Sequence, residues 1–205
     1  MTERERRVVR TANELVRRHG LTLPVDVAAL CRHYGARLVT LSELERRGMS
    51  REAVFAVWGN RDGVAMSGRR GRAIGYNDRA AEKRIRFTLA EELMHLLLGH
   101  TEDARFAVGR QSYDDDTYAR YETEAKRGAC LLLVPPTVYF RCRCRGSLAA
   151  LARLCRVSRA CAWTAAQYYE QNENELRALF TARPLRCDAR ALSRPQPLRP
   201  RRVSF

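Results

Sequence analysis

Apolar residues recur along this chain at two periods. From Glu5 to His19, Val8, Val9, Ala12, Leu15 and Val16 fall at helical spacing between arginines, and Gly20 stops the pattern, so the spacing predicts an amphipathic helix. After Pro24, a second short helix is expected over Val25–Tyr34, closed by Gly35, and then a strand over Arg37–Leu41. Ala53–Trp58 and Gly63–Ser67 read as strand-like pieces on either side of a turn-rich link, and Gly71–Tyr76 as a third short strand, together a small antiparallel sheet. Asn77 or Asp78 can cap a central helix whose apolar positions run through Phe87, Leu89, Leu93, Leu96 and Leu97 to Gly99. Residues 101–121 are polar, with Asp114-Asp115-Asp116 and tyrosines at 113, 118 and 121. A strongly apolar helix follows from about Glu122 to Val134, ended by Pro135-Pro136. Ser147–Glu170 reads as two more helices joined near Cys155-Arg-Val-Ser158, with Ser158 a cap. Beyond Glu175 the pattern weakens, and Arg183–Phe205 is rich in Pro and Arg. The expected fold class is α+β: one mostly helical domain over residues 1–175 with a small sheet, and a flexible Arg/Pro-rich tail over 176–205.

Composition narrows the function classes. The chain has 205 residues, 45% of them hydrophobic and 30% charged, enough for one compact core. Its formal net charge is +15, carried almost wholly by arginine, since Lys83 and Lys126 are the only lysines. Arginine bias of this kind reflects genomic base composition as readily as a polyanion-binding surface, so charge alone does not define a nucleic-acid protein. No apolar run reaches the roughly 18 residues of a membrane span, and the start is charged rather than signal-like, so a cytoplasmic protein with no membrane partner is expected. Seven cysteines without paired CxxC spacing read as reduced thiols, with Cys142 and Cys144 among arginines as a redox or metal-binding alternative.

The segment Arg86-Phe-Thr-Leu-Ala-Glu91-Glu92-Leu-Met-His95-Leu-Leu-Leu-Gly-His100 carries the candidate chemistry. Residues four apart on a helix lie about 40° out of line, so Glu91 and His95 share a face and can converge on a metal, with Glu92 beside them. This is the spacing of the HExxH zinc motif, in which the Glu after the first ligand polarises a metal-bound water, except that glutamate stands in place of the first histidine. A third ligand should come from another element, and Glu124 at the start of the next helix is the leading candidate, with Glu122 the weaker one. Glu92 is the candidate general base. Glu91 could instead serve a capping box with Thr88, and His100 faces another way, to pack or hydrogen-bond behind a ligand. His19 and His33 read as structural.

These residues resemble the ImmA/IrrE metallopeptidases, whose signature looks like Arg-Phe-Thr-Leu-Ala-His-Glu-Leu-Gly-His-Leu-Leu-Leu-Gly-His followed by a Glu-Ala-Asn-x-Phe-Ala-x-x-Leu-Leu-Met-Pro helix. The counterparts here stand at 86–100 and 124–135, and the likeness extends through Pro24–Val27, Gly71–Asn77 and Leu151–Ala160 to cover about residues 8–170. Three departures stand out. Glu91 replaces the first ligand His, Met94 replaces Gly, and Lys126 and Gly128 replace the Asn and Phe. The resemblance implies a zincin-like active helix and a metal-dependent endopeptidase that cleaves a helix–turn–helix transcriptional repressor, relieving silencing of a mobile element or stress regulon. Zn²⁺ is the first choice of metal. A ligand set with two carboxylates shifts preference toward Mn²⁺ or Fe²⁺. The alternative is a catalytically degenerate pseudoprotease that binds a repressor or DNA. Leu151–Ala160 resembles a helix–turn–helix, for which packing is the favoured reading, while Arg141–Arg145 and the tail could contact nucleic acid nonspecifically.

Overall fold

The computed structural model describes residues 1–59, 61–103, 115–143, 147–183 and 186–187. Tyr113, Asp114, Cys144, Arg145 and the tail from residue 188, all singled out above, lie outside the described residues.

Helix α1 (Glu3–His19) begins in a capping box. The Glu5 amide donates to Thr2 Oγ1 at 3.2 Å, and the Thr2 amide donates to Glu5 Oε2 at 2.7 Å. Gly20, with φ +50, ends it in the left-handed region that glycine adopts without strain. Its buried stripe of Val8, Val9, Ala12, Leu15 and Val16 is the one its spacing predicts. A two-residue strand β1 (Thr22–Leu23) precedes α2 (Val27–His33), capped by Asp26, and β2 (Ala36–Thr40) follows.

The next stretch corrects the sequence reading. Ala53–Trp58 is not a strand: Ala53–Val57 belong to α4 (Arg51–Val57), Trp58 caps its end, and the helix follows α3 (Leu41–Arg46). Ser50 Oγ accepts the Ala53 amide at 3.2 Å, and Val54 and Trp58, one turn apart, bury together with Leu41 and Val64. An N-cap and an i,i+4 apolar pair outweigh the strand preference of valine, phenylalanine and tryptophan. Strands β3 (Gly63–Gly68) and β4 (Gly71–Tyr76) form a hairpin. The sheet, ordered β2-β4-β3, is mixed rather than antiparallel, because β2 joins β4 in parallel, Ala36 opposite Arg72 and Thr40 opposite Tyr76. The intervening helices carry the chain back so that both strands run the same way.

Helix α5 (Glu82–Leu97) is capped by neither Asn77 nor Asp78. Asn77 instead donates to Asp62 Oδ1 at 3.1 Å, and Asp78 Oδ1 accepts the Ser42 amide at 3.0 Å. A 3₁₀ turn (His100–Glu102) follows Gly99. Helix α6 (Asp115–Leu133) starts seven residues before its expected beginning at Glu122, so the polar run forms its first two turns. Pro135 and Pro136 end it and open α7 (Pro136–Cys142). The pair α8 (Leu148–Cys155) and α9 (Arg159–Gln171) buries Leu151, Leu154, Val157, Ala162, Ala165 and Tyr169, and the Arg86 guanidinium donates to the carbonyls of Cys155 and Arg156 between them, both at 3.3 Å. That segment is packed into the domain.

The packed domain also runs past the expected boundary at residue 175. Helix α10 (Glu173–Leu179) buries Leu176, and Phe180 and Ala182 are buried beyond it. The Ala182 amide donates to Asn13 Oδ1 at 2.8 Å, and β5 (Arg186–Cys187) pairs in parallel with β1. Leu176, Phe180 and Ala182 carry the start of the supposed tail into the core, beside the ion pairs of Glu175 with the Met1 amine and Arg6. The result is one α+β domain, mostly helical, in which α5 lies between the sheet and α6, with α1 on the other side of α6. No helix among the described residues is long and apolar enough to cross a membrane.

Candidate metal and peptidase site

The site lies where α5 meets α6. Buried carboxylates and imidazoles are costly unless they neutralise one another, yet Glu91, Glu92, His95, His100 and Glu122 are all at most 8% exposed. Their grouping follows from helical spacing. Glu91 and His95 are one turn apart on α5, Glu122 and Lys126 one turn apart on α6. Glu91 lies within the second half of α5, far from its first turn, which removes the capping-box role considered with Thr88. Glu92 is set against β3. A Cβ on Gly63 would stand 3.3 Å from Glu92 Cγ and 3.1 Å from the Gly75 carbonyl oxygen, so glycine is what allows the strand to lie this close to the helix.

The two glutamates of α6 take different places. Glu122, the weaker candidate from sequence, faces His95, with Oε1 3.5 Å from His95 Nε2. Glu124, the leading candidate, lies against His100 instead: His100 Nε2 is 3.1 Å from Glu124 Oε2. The structure therefore brings Glu122 rather than Glu124 to the Glu91–His95 face. The reason is helical phase, since residues two apart on a helix lie about 200° from one another and cannot serve the same point.

His100 links Glu124 to His95. Burial, then the His95 and Arg7 charges, push the His100 imidazole down to about 3, so the ring is neutral. With one proton, donated from Nε2 to the Glu124 carboxylate, its Nδ1 is an acceptor. That atom is 3.1 Å from His95 Nδ1, which donates to it, and His95 Nε2 is left turned toward Glu122. The Tyr121 ring stacks on His100 at 4.3 Å and 12°, holding the plane of this relay. His19 and His33 lie apart from it, in ring contact with Tyr34.

Electrostatics separate the carboxyls. Burial, together with the Glu92 and Glu122 charges, raises the Glu91 carboxyl to about 7, against the pull of Lys126 and His95. Glu122 is buried too, but His95 and Arg61 hold it well below the ordinary carboxylate range. Arg61, just before β3, is ion-paired to Glu122 and lies over the Tyr118 ring at 4.8 Å, while Lys126 Nζ is 3.3 Å from Glu122 Oε2. Sequence reasoning missed Arg61 altogether. Its only signal was a cation in the turn-rich link, indistinguishable there from the chain's many other arginines.

The donor chemistry fits a divalent cation, for one imidazole nitrogen and several carboxylate oxygens are the atoms such ions take. Among the described residues, however, no three His, Cys, Asp or Glu side chains are drawn together closely enough to hold one. Arg61 and Lys126 stand against Glu122 instead.

The site is an acidic, histidine-bearing motif buried on a helix beneath a small sheet. Residues 51–162 match the IrrE N-terminal-like domain, a peptidase family, and the chain belongs to that family, whose members are generally metal-dependent. No curated protein matches the chain.

Proposed function

We propose that the protein is a metal-dependent endopeptidase acting on a helix–turn–helix transcriptional repressor, with Glu91, His95 and Glu122 as its metal ligands. The observation that carries this reading is the Glu124–His100–His95 relay, which directs His95 Nε2 at Glu122 on the same side as Glu91. A carboxylate that orients a ligand histidine from behind is a common support of metal sites, and Glu124 has that part here rather than a bond to the ion. When bound, a divalent ion supplies Lewis acidity toward a peptide carbonyl and a water. Zn²⁺ is the first choice, with Mn²⁺ and Fe²⁺ favoured more than in a two-histidine site because of the second carboxylate.

The chain's own residues do the rest. Glu92, next to Glu91 and against β3, accepts a proton from water on its carboxylate and returns it to the leaving amine. Strand β3 pairs with β4 alone among the described residues, so its other edge suits an extended substrate segment adding as a further strand. A folded repressor must therefore present a loop or linker rather than a helix. The protein acts in the cytoplasm, where such repressors are.

The test is incubation of the full chain, loaded in turn with Zn²⁺, Mn²⁺ and Fe²⁺, with a purified helix–turn–helix repressor encoded beside its gene. Fragments should appear by mass spectrometry. Glu92→Gln should lower the cleavage rate by about 10²–10⁴-fold while metal content stays unchanged; cleavage at the native rate in that variant refutes the assigned base. A second reading, a non-hydrolysing module that binds a repressor or DNA, is favoured by the ion pairs of Arg61 and Lys126 with Glu122, which neutralise the site without a metal. It predicts repressor binding without fragments under every metal tried.

A further inference from the structure

Next to this site, with Lys126 common to both, a cavity of about 710 Å³ opens between α5, α6 and α9. Its wall includes Phe87, Lys126, Arg127, Cys130, Cys161 and Tyr168. The two cysteines, 31 residues apart in sequence, come from different helices, and their sulfurs are 4.0 Å apart. Neither was singled out by its spacing.

We infer that Cys161 and Cys130 form a peroxide-reactive thiol pair, with Cys161 the attacking and Cys130 the resolving cysteine. Three observations carry this. Cys161 lies in the first turn of α9, a helix of 13 residues, where its amide donates to the Ser158 Oγ cap at 3.0 Å, and a helix N-terminus favours thiolate over thiol. It is partly exposed on a cavity whose wall also carries Lys83, Arg84, Lys126 and Arg127, so an oxidant can reach it. Cys130, only 8% exposed, stands behind it at hydrogen-bond range for sulfur and needs to close the gap to the roughly 2 Å of an S–S bond. In the pair, the Cys130 thiol donates to Cys161 and holds it below the ordinary thiol value, while Cys130 itself is raised. Other described cysteines differ. Burial drives Cys31 up to about 12, and Cys142 is raised as well.

The chemistry balances with a hydroperoxide as the oxidant. The Cys161 thiolate attacks the outer peroxide oxygen, breaking the O–O bond; it becomes a sulfenic acid, and the departing alkoxide or hydroxide takes up a proton. Cys130 sulfur then attacks the sulfenic sulfur, the S–O bond breaks, and water leaves with the Cys130 proton. Two thiols are oxidised to one disulfide as one peroxide is reduced. The link would tie α6, which bears Glu122, Glu124 and Lys126, to α9.

The inference does not depend on the proposed peptidase function. It is tested by treating the reduced full chain with hydrogen peroxide and mapping its peptides by mass spectrometry. A Cys130–Cys161 cross-linked peptide, lost on adding dithiothreitol, is expected. In Cys130→Ser, dimedone should label Cys161 as the trapped sulfenic acid; in Cys161→Ser, both the cross-link and any label on Cys130 should be absent. Recovery of Cys130 and Cys161 as free thiols after Cys142 has been oxidised overturns the proposal. Dimedone labelling of Cys130 in Cys161→Ser, with Cys161 unlabelled in Cys130→Ser, overturns the assignment of roles.

Discussion

Two contacts between α5 and α6 lie within one turn of each other and depart from the resembled family pattern in opposite ways. In the apolar one, the pattern's Gly and Phe are replaced by Met94 and Gly128, and the structure shows why both changed together. A Cβ on Gly128 would stand 2.8 Å from Met94 Cγ and 3.1 Å from its sulfur, so methionine from α5 fills the space that a large side chain on α6 would occupy. In the polar contact, the pattern's His and Asn are replaced by Glu91 and Lys126. Here the exchange restores charge, because Lys126 draws down Glu91 and lies 3.3 Å from Glu122. Volume is interchangeable between helices, since packing needs only that the space be filled. Donor atoms are not. Swapping an imidazole for a carboxylate and adding an ammonium neutralises the seam but changes which metal it suits and how tightly.

The sharpest break of the apolar contact is Met94→Ala, which leaves a hole against Gly128 and should cost about 2–5 kcal/mol in denaturant unfolding. Gly128→Ala should cost about 1–3 kcal/mol through overpacking. The double variant should be less destabilised than the two losses added together, and simple additivity would show that the residues do not share one space.

The polar contact predicts a pH effect. A carboxyl raised in the folded state favours folding most where it is protonated, below its ordinary value of 4.5, and that contribution fades as pH rises through about 7. His100 works the other way: lowered from 6.5 to about 3, it withdraws stability as pH falls between those values. In metal-free protein, Glu91→Gln should abolish the loss on the alkaline side, so its melting temperature should hold steady or rise from pH 5 to pH 8 while the native one falls behind. Parallel curves would mean that Glu91 titrates normally.

Lys126→Asn probes the smallest effect. Lys126 is half-exposed, and its pair with Glu122 should contribute only about 0–1 kcal/mol to unfolding. Removing it takes a cation from beside the proposed ligands, so metal affinity by titration should rise. An unchanged affinity would assign the neutralising part to Arg61 alone.

Much of this was legible in the chain. The α1 stripe, the helix carrying Glu91, Glu92 and His95, and the Ser158 cap follow from local spacing and capping, which a linear sequence records directly. The six apolar and aromatic residues of Ala53–Trp58 satisfy strand preference as well as helix, and the Ser50 cap with the contact of Val54 and Trp58 on Leu41 and Val64 chooses between them. Parallel pairing of β2 with β4 was invisible because direction in a sheet depends on the path of the chain between strands.

The same division runs through the site. Residue types and their spacing on one helix marked the candidate chemistry: two carboxylates, of which Glu92 is the candidate base, and an imidazole, on a peptidase-like motif. Which glutamate of α6 faces His95 was decided only by the phase at which α6 docks on α5. That docking turned Glu122 to His95, put Glu124 on His100 and brought Arg61 from a distant turn, while the packing of α9 on α6 set Cys161 beside Cys130. Local spacing is written along one helix, whereas the rotation of one helix against another is settled by side chains far apart in the chain.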